Sequence, residues 1–340
     1  MNLITTCIKD DIFYIQLHGR VDSGNASAVE AEIMDAVKTC KMQTMVIDAD
    51  DLKYISSAGL RVVLRLRKER PELRVVNASS EVYEIFEMTG FTEMLPVEKG
   101  YRKLSIEGCE VVGRGANGIV YRLDKDTIIK VYFNSDALPE IHRERALARR
   151  AFVLGVPTAI PYDVAKVGDS YGSVFELLNA KSFSKLIAKE PENLDKYVAM
   201  FVDLLKKIHS TEVNPEDMPD QRAVVIDWVN FLKDYLDKVK WEKLSRMIND
   251  IPVSHTMIHG DYHTKNVMLQ NGEALLIDMD TLSHGHPVFE LANVWITYVG
   301  FGETDPTVVE KFLGMPFPLA KRIWNAFLPA YLGTTDPEKL

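Results

Sequence analysis

The run NVMLQNGEALLIDMD, Asn266 to Asp280, carries the tightest local constraint in the chain. Asn271-Gly272 stands between two apolar runs, VML and ALLI, and an Asn-Gly pair so flanked specifies a two-residue hairpin, because both turn residues must accept positive φ. That turn fixes the pairing: Gln270 faces Glu273, Met268 faces Leu275, and Asn266 lies opposite Ile277. Asp278 is then diagonal to Asn266, at the roughly 5–8 Å of cross-strand neighbours. Two oxygen-bearing side chains meet at the open end of one hairpin, with Asp261 shortly upstream in an irregular loop. Mg²⁺ suits such a set, since it takes hard oxygen ligands and shares them between one or two side chains and substrate phosphates. A polar hairpin end without a metal has the same local pattern, so the rest of the chain must decide.

At 340 residues the chain exceeds the usual size of one domain. Its 46% hydrophobic and 26% charged residues are those of a folded protein. The formal net charge of −9 argues against nucleic acid as a partner, because phosphate-backbone binding needs a basic surface. The basic run VLRLRKERPELR, Val63 to Arg74, reads as the solvated side of a helix. Cys7, Cys40 and Cys109 are odd in number and widely spaced, which fits a reducing, cytoplasmic setting. No basic segment followed by an apolar core opens the chain, and no run reaches the roughly 18 apolar residues of a membrane span. His255, His259 and His263 recur every fourth residue, but Gly260 breaks that spacing in what reads as a loop, against a zinc-binding helix.

In the first hundred residues, IFYIQLHG and TMVIDAD alternate as strands, while SGNASAVEAEIMDAVKTC has helical periodicity with Ser23 or Asn25 as N-cap. A helix follows ISSAG, LRVVN reads as a strand, and SSEVYEIFEMTG as a helix stopped by Gly90. The alternation implies a small α/β sheet with packed helices. GRVDSGNA, MVIDADDLKYISSAGLRVVL and FEMTGF stand where the STAS domain of anti-sigma factor antagonists has its counterparts, and residues 1–97 resemble that family. The resemblance implies docking to an anti-sigma factor or similar protein and makes Ser57 the position that a partner kinase phosphorylates. A helix start favours phosphate. Ser56 replaces the usual aspartate there, and either serine also serves as a plain N-cap.

PVEKGYRK, Pro96 to Lys103, is polar and bounded by Pro and Gly, the composition of a domain boundary. Beyond it Gly113, Gly115 and Gly118 form G-x-G-x-x-G with Val120 trailing. A dinucleotide fingerprint needs a helix directly after the glycines. Here IVYRL and TIIKVYF are strand patterns instead, which is the kinase version, a loop that folds over nucleotide phosphates. Lys130 then stands on the third strand, where kinases grip the α/β-phosphates. PEIHRERALARRAFVLG is a helix offering Glu140 and Glu144 as acidic partners of Lys130, of which Glu144 lies a full turn inside. GSVFELLNA reads as a buried strand running into a connector, and the pattern from there to about residue 250 is helical.

Glycine loop, lysine, glutamate, His-Gly-Asp-x-x-x-x-Asn and Ile-Asp occur in kinase order. Residues 103–340 resemble the aminoglycoside phosphotransferase and choline kinase family, which shares the protein-kinase fold. The resemblance implies an α+β, two-lobed unit that uses ATP and Mg²⁺. It makes Asp261 the catalytic aspartate, Asn266 and Asp278 the metal ligands, and His259 the histidine that fixes the catalytic loop. Gly113, Gly115, Gly118, Val120, Lys130, Glu144 and the hinge residue Glu176 are the ATP-binding set it implies. Glu290 stands in GHPVFELA where an aspartate is more usual, and the role of Asp280 is open. The expected domains are 1–97 STAS-like, 98–105 linker, 106–180 N-lobe and 181–340 C-lobe. GTTDPEKL begins a helix with Asp336, Pro337 and Glu338 and then stops, so the C-lobe is expected to be truncated relative to family members with further helices.

His263 replaces the lysine that protein kinases carry two residues after the catalytic aspartate, and the stretch from Asp278 to Glu290 is short for a peptide-binding segment. Both point to a small hydroxylated acceptor. Acidic stretches such as KEPENLD and NPEDMPD would favour a cationic one, an aminoglycoside or amino alcohol, unless they are only solvated surface. Two rivals remain: a regulatory protein that binds nucleotide without turnover, and a protein kinase acting on Ser57.

Overall fold

A computed structural model describes residues 3–39, 44–336 and 338. Cys40 and Pro337, read above from the sequence, lie outside the described residues. The chain divides into two compact units, Met1–Lys103 and Leu104–Leu340.

In the first unit five strands join in the order Ile4–Lys9, Ile12–Leu17, Met45–Asp48, Arg74–Ala78, Val97–Lys99. The first pair is antiparallel and the others are parallel. Ile12–Leu17 alternates buried and half-buried residues, as a strand with one face on the core must. Helices Ala26–Thr39, Ser57–Glu69 and Ser80–Met88 supply Val29, Ile33, Leu60, Leu66 and Phe86 to a core with Ile15, Ile47 and Val75. The edge strand Ile4–Lys9 escaped sequence reading because its residues are nearly all exposed and carry no alternation. Residues 98 and 99, expected in the linker, continue a strand, Val97–Lys99, that pairs with Arg74–Ala78 and that the neighbouring Pro and Gly had obscured. Arg67 in the basic run is less solvated than expected, since its guanidinium donates to the Leu73 carbonyl at 3.0 Å.

Within the second unit, five antiparallel strands run in the order Pro161–Val167, Ser170–Glu176, Thr127–Tyr132, Gly118–Arg122, Val111–Arg114. The helix Leu138–Val153 turns Glu144, Leu147, Ala148 and Ala151 inward. The rest is mainly helical, with Leu194–His209 and Phe317–Leu332 packing Phe201 and Phe327 beside the buried Tyr262. The α/β unit and the two-lobed kinase-like unit expected from the sequence are both present. Among the described residues no helix is long and apolar enough to cross a membrane.

Candidate active site

The glycine loop links Val111–Arg114 to Gly118–Arg122, and Gly115 N–H donates to Gly118 O at 2.9 Å. Gly118 packs so closely on the next strand that a Cβ would meet Val131 O at 2.3 Å, so no side chain fits there. Val120 pairs with Lys130, which places the lysine beneath the loop. Gly115, Gly118, Val120, Lys130, Glu144 and Asp278 line one cleft, with apolar walls from Ile128, Ala159 and Phe175 among others. Gly113 sits one strand out, opposite Val120. Glu176 ends its strand with its N–H given to Ile160 O at 3.0 Å, and its neighbour Phe175 is the side chain that reaches the cleft.

Lys130 Nζ lies 3.2 and 3.3 Å from the two oxygens of Glu144 and 3.1 Å from Asp278 Oδ1. Glu140 is exposed, whereas Glu144 is buried. Burial works against the Lys130 ammonium, but Glu144 and Asp278 outweigh it and hold its pKa above the ordinary lysine value. Burial also raises the Glu144 carboxyl, opposed by Lys130 and by the Tyr132 hydroxyl that donates to it.

At the other end of the cleft the hairpin has the register that its turn dictates. Asn271 and Gly272 take φ of 52° and 86°. Gln270 pairs with Glu273 and Met268 with Leu275, and Ile277 N–H donates to Asn266 O at 2.9 Å. Asn266 Nδ2 donates to Asp261 O at 3.0 Å and to Asp261 Oδ2 at 3.2 Å, which turns the amide nitrogen to Asp261 and leaves the amide oxygen available to a ligand. Asp278 sits at φ 64°, a left-handed conformation rare outside glycine. His259 is fully buried and bridges the two segments: Nδ1 accepts the Asp261 N–H at 3.2 Å, and Nε2 lies 3.3 Å from Ile277 O. One ring thus ties the backbone of Asp261 to the residue before Asp278.

Burial would raise the Asp261 carboxyl, yet the hydrogen bond and charge of His263 bring it below the usual aspartate range. Asp280 moves the other way, raised by burial and then by the charge of Asp278. Among the described residues no group of three or more His, Cys, Asp or Glu could hold a metal ion by itself. The donor set that does fit is the Asn266 amide oxygen and the Asp278 carboxylate, which suits a hard ion completing its shell with phosphate oxygens.

The family profile of the phosphotransferase enzyme family, APH, matches residues 108–323 of this chain. The chain belongs to that family. A STAS domain profile matches residues 4–104. BtrV of Bordetella bronchiseptica, which bears the name of an anti-sigma factor antagonist, is 40% identical over 92 residues, 26% of this chain and 78% of BtrV. A crystal structure of an anti-sigma factor antagonist from Mycobacterium paratuberculosis is similar at 20% identity, TM-score 0.26, over 28% of this chain and 83% of its own. That of an aminoglycoside-3'-phosphotransferase of type VIII is similar at 18% identity, TM-score 0.44, over 68% of this chain and 90% of its own.

Sequence reasoning named Glu290 and His263 without the contacts they make in this phosphotransferase-family site, and passed over Tyr132. Glu290 is fully buried and accepts backbone N–H groups from His259 at 2.6 Å, Gly260 at 3.1 Å and Tyr262 at 3.3 Å. Burial alone would raise its pKa, but His209, His259 and the Gly260 N–H bring it below the ordinary glutamate value. GHPVFELA contained the signal, an acid in a strongly apolar helix. His263 is buried with Nε2 3.3 Å from Asp261 Oδ2. Tyr132 holds Glu144, and nothing in an alternating strand distinguishes such a tyrosine from core.

Proposed function

We propose that the second unit is an ATP- and Mg²⁺-dependent kinase that phosphorylates a hydroxyl of a small molecule, and that the STAS domain docks a regulatory protein. The observation that carries this reading is the single constellation of Lys130 on Glu144 and Asp278, with Asp261 held by Asn266 at the open end of the hairpin that leads to Asp278. When bound, Mg²⁺ supplies positive charge to the phosphate oxygens between donor and acceptor.

The chain's own residues do the positioning. The loop of Gly115 and Gly118 closes over the phosphates with backbone alone, and the apolar walls take the base. Lys130 offsets charge on the phosphates, kept in place by Glu144. Asn266 and Asp278 offer the metal ligands. Asp261, ionised and oriented, aligns the acceptor hydroxyl and takes its proton. The acceptor oxygen bonds to the γ-phosphorus as the bond to the bridging oxygen breaks, and ADP leaves. Such transfer needs little beyond alignment and charge neutralisation.

The test is ADP release with Mg²⁺ and ATP across aminoglycosides, amino alcohols and sugars, comparing the native chain with Asp261→Ala. Acceptor-stimulated release that the substitution abolishes supports a small-molecule kinase. Tight Mg²⁺-ATP binding that no acceptor turns into release would favour a regulatory nucleotide-binding protein.

A further inference from the structure

On the reading above, the phosphate donor enters through the cleft of Lys130 and Asp278. His263, Lys265 and Phe312 do not line that cleft. They nevertheless form a chain of contacts from Asp261 outward, with His263 buried behind the exposed Phe312 and Lys265. His263 Nε2 is 3.3 Å from Asp261 Oδ2, the His263 ring meets Phe312 edge-on at 4.9 Å, and Lys265 Nζ stands 5.3 Å over the Phe312 ring.

We propose that this surface binds the acceptor, and that the acceptor carries an anionic group, a carboxylate or a phosphate, beside its reacting hydroxyl. The inference rests on the phosphotransferase reading and narrows it. Asp261 Oδ2 is already taken by Asn266 and His263, so Oδ1 is the oxygen left for the hydroxyl. Phe312 is 37% exposed and offers its ring to the carbon skeleton. Lys265 is exposed, and among the described residues no carboxylate pairs with it. Its contact with Phe312 is of the weak, solvent-exposed kind, so an arriving anion can recruit the ammonium into a stronger charge-assisted hydrogen bond. The net charge of −9 points to a cationic ligand when read over the whole chain, but beyond the Asp261 carboxylate that takes the hydroxyl, the charge met at Phe312 is that of Lys265. Local charge governs what docks within a few ångströms.

The experiment measures phosphoryl transfer from ATP by the full chain to four acceptors that share one skeleton: glycerate, glycerol phosphate, aminopropanediol and glycerol. An anionic member is expected to exceed aminopropanediol in kcat/KM by about tenfold or more, the effect of one good charged contact. The better of the two anions tells carboxylate from phosphate. Lys265→Arg keeps the ranking and Lys265→Glu inverts it. Preference of the native chain for aminopropanediol or glycerol, or a ranking that Lys265→Glu leaves unchanged, overturns the inference. Transfer to none of the four, with ATP hydrolysis still lost on Asp261→Ala, also overturns it and leaves the phosphotransferase reading standing. ATP hydrolysis that is absent, or indifferent to Asp261→Ala, removes that reading and this inference together.

Discussion

Lys130 Nζ is shared between Glu144, 3.2 Å away on a helix, and Asp278, 3.1 Å away beyond the hairpin. One ammonium thereby registers three separate chain segments. Removing Glu144 leaves Lys130 free to collapse onto Asp278, the proposed metal ligand. Glu144→Ala is expected to raise the Kd for Mg²⁺-ATP by roughly 10–100-fold, the lower range for truncating one partner of a buried charge pair. Glu140→Ala, on the exposed side of the same helix, should leave it within about twofold. Calorimetric titration of both variants checks the contrast.

Asp261 is expected to act on the acceptor and not on nucleotide binding. Asp261→Asn should lower kcat by roughly 10²–10⁴, the usual contribution of a positioned base, with little change in Mg²⁺-ATP affinity. Because the folded environment depresses its pKa below 3.8, the ionised form persists as pH falls, and its protonation is felt only below that value. An acid limb above 3.8 belongs instead to a carboxyl whose pKa is raised, either Asp280 or Glu144. The pH profile of kcat/KM, with Asp280→Asn expected to move that limb where Asp280 sets it and not where Glu144 does, separates the two.

Glu290 holds the loop that carries Asp261 by accepting three backbone N–H groups, from His259, Gly260 and Tyr262. Replacing the carboxylate by an amide turns these charge-assisted bonds into ordinary ones. Glu290→Gln should cost about 2–3 kcal/mol near neutral pH. The folded-state pKa lies below the ordinary 4.5, so the carboxylate's stabilisation is fully present above 4.5 and is lost as pH falls through the folded value. Urea unfolding of both proteins from neutral to acid pH should show the gap closing in that window.

The hairpin, the glycine loop, Lys130, Glu144, Asp261, Asn266 and Asp278 were legible because each is tied to a turn, a strand period or a fixed spacing along the chain. The contacts of Glu290 and Tyr132 were not, since they lie in what these residues touch across the chain, and His263 was noted without its contact to Asp261. Tyr132 ends a strand rich in apolar residues, and only its contact with Glu144 sets it apart. The edge strand Ile4–Lys9 was missed for the opposite reason, having no buried face to imprint a pattern.

Two glycines in this unit share a φ of 86° but differ in surroundings. A Cβ on Gly260 would lie 2.6 Å from Thr281 O, while one on Gly272 meets nothing within 4 Å. Gly272→Ala therefore pays only for left-handed backbone, roughly 1–2 kcal/mol. Gly260→Ala must also displace Thr281 or the loop that carries Asp261, and should lose more stability and most of kcat. Parallel thermal melts and turnover assays are the check.

In the STAS domain the two serines that the sequence left interchangeable have different jobs. Ser56 is the N-cap, its hydroxyl accepting the Gly59 N–H at 3.4 Å, whereas Ser57 is the first helical residue and is exposed. Ser56→Ala should therefore destabilise by about 1 kcal/mol, the usual value of a cap. Ser57→Ala should be nearly neutral. Ser57→Asp places a negative charge at the positive end of the helix macrodipole and is expected to add about 0.3–1 kcal/mol, most visibly at low salt. Chemical denaturation of the three variants orders them, and the reverse order for Ser56 and Ser57 would mean that the cap is misassigned. A Ser57 that is free of any capping duty is the one available for modification, so the same ranking states whether phosphate could be added there without unfolding the helix it begins.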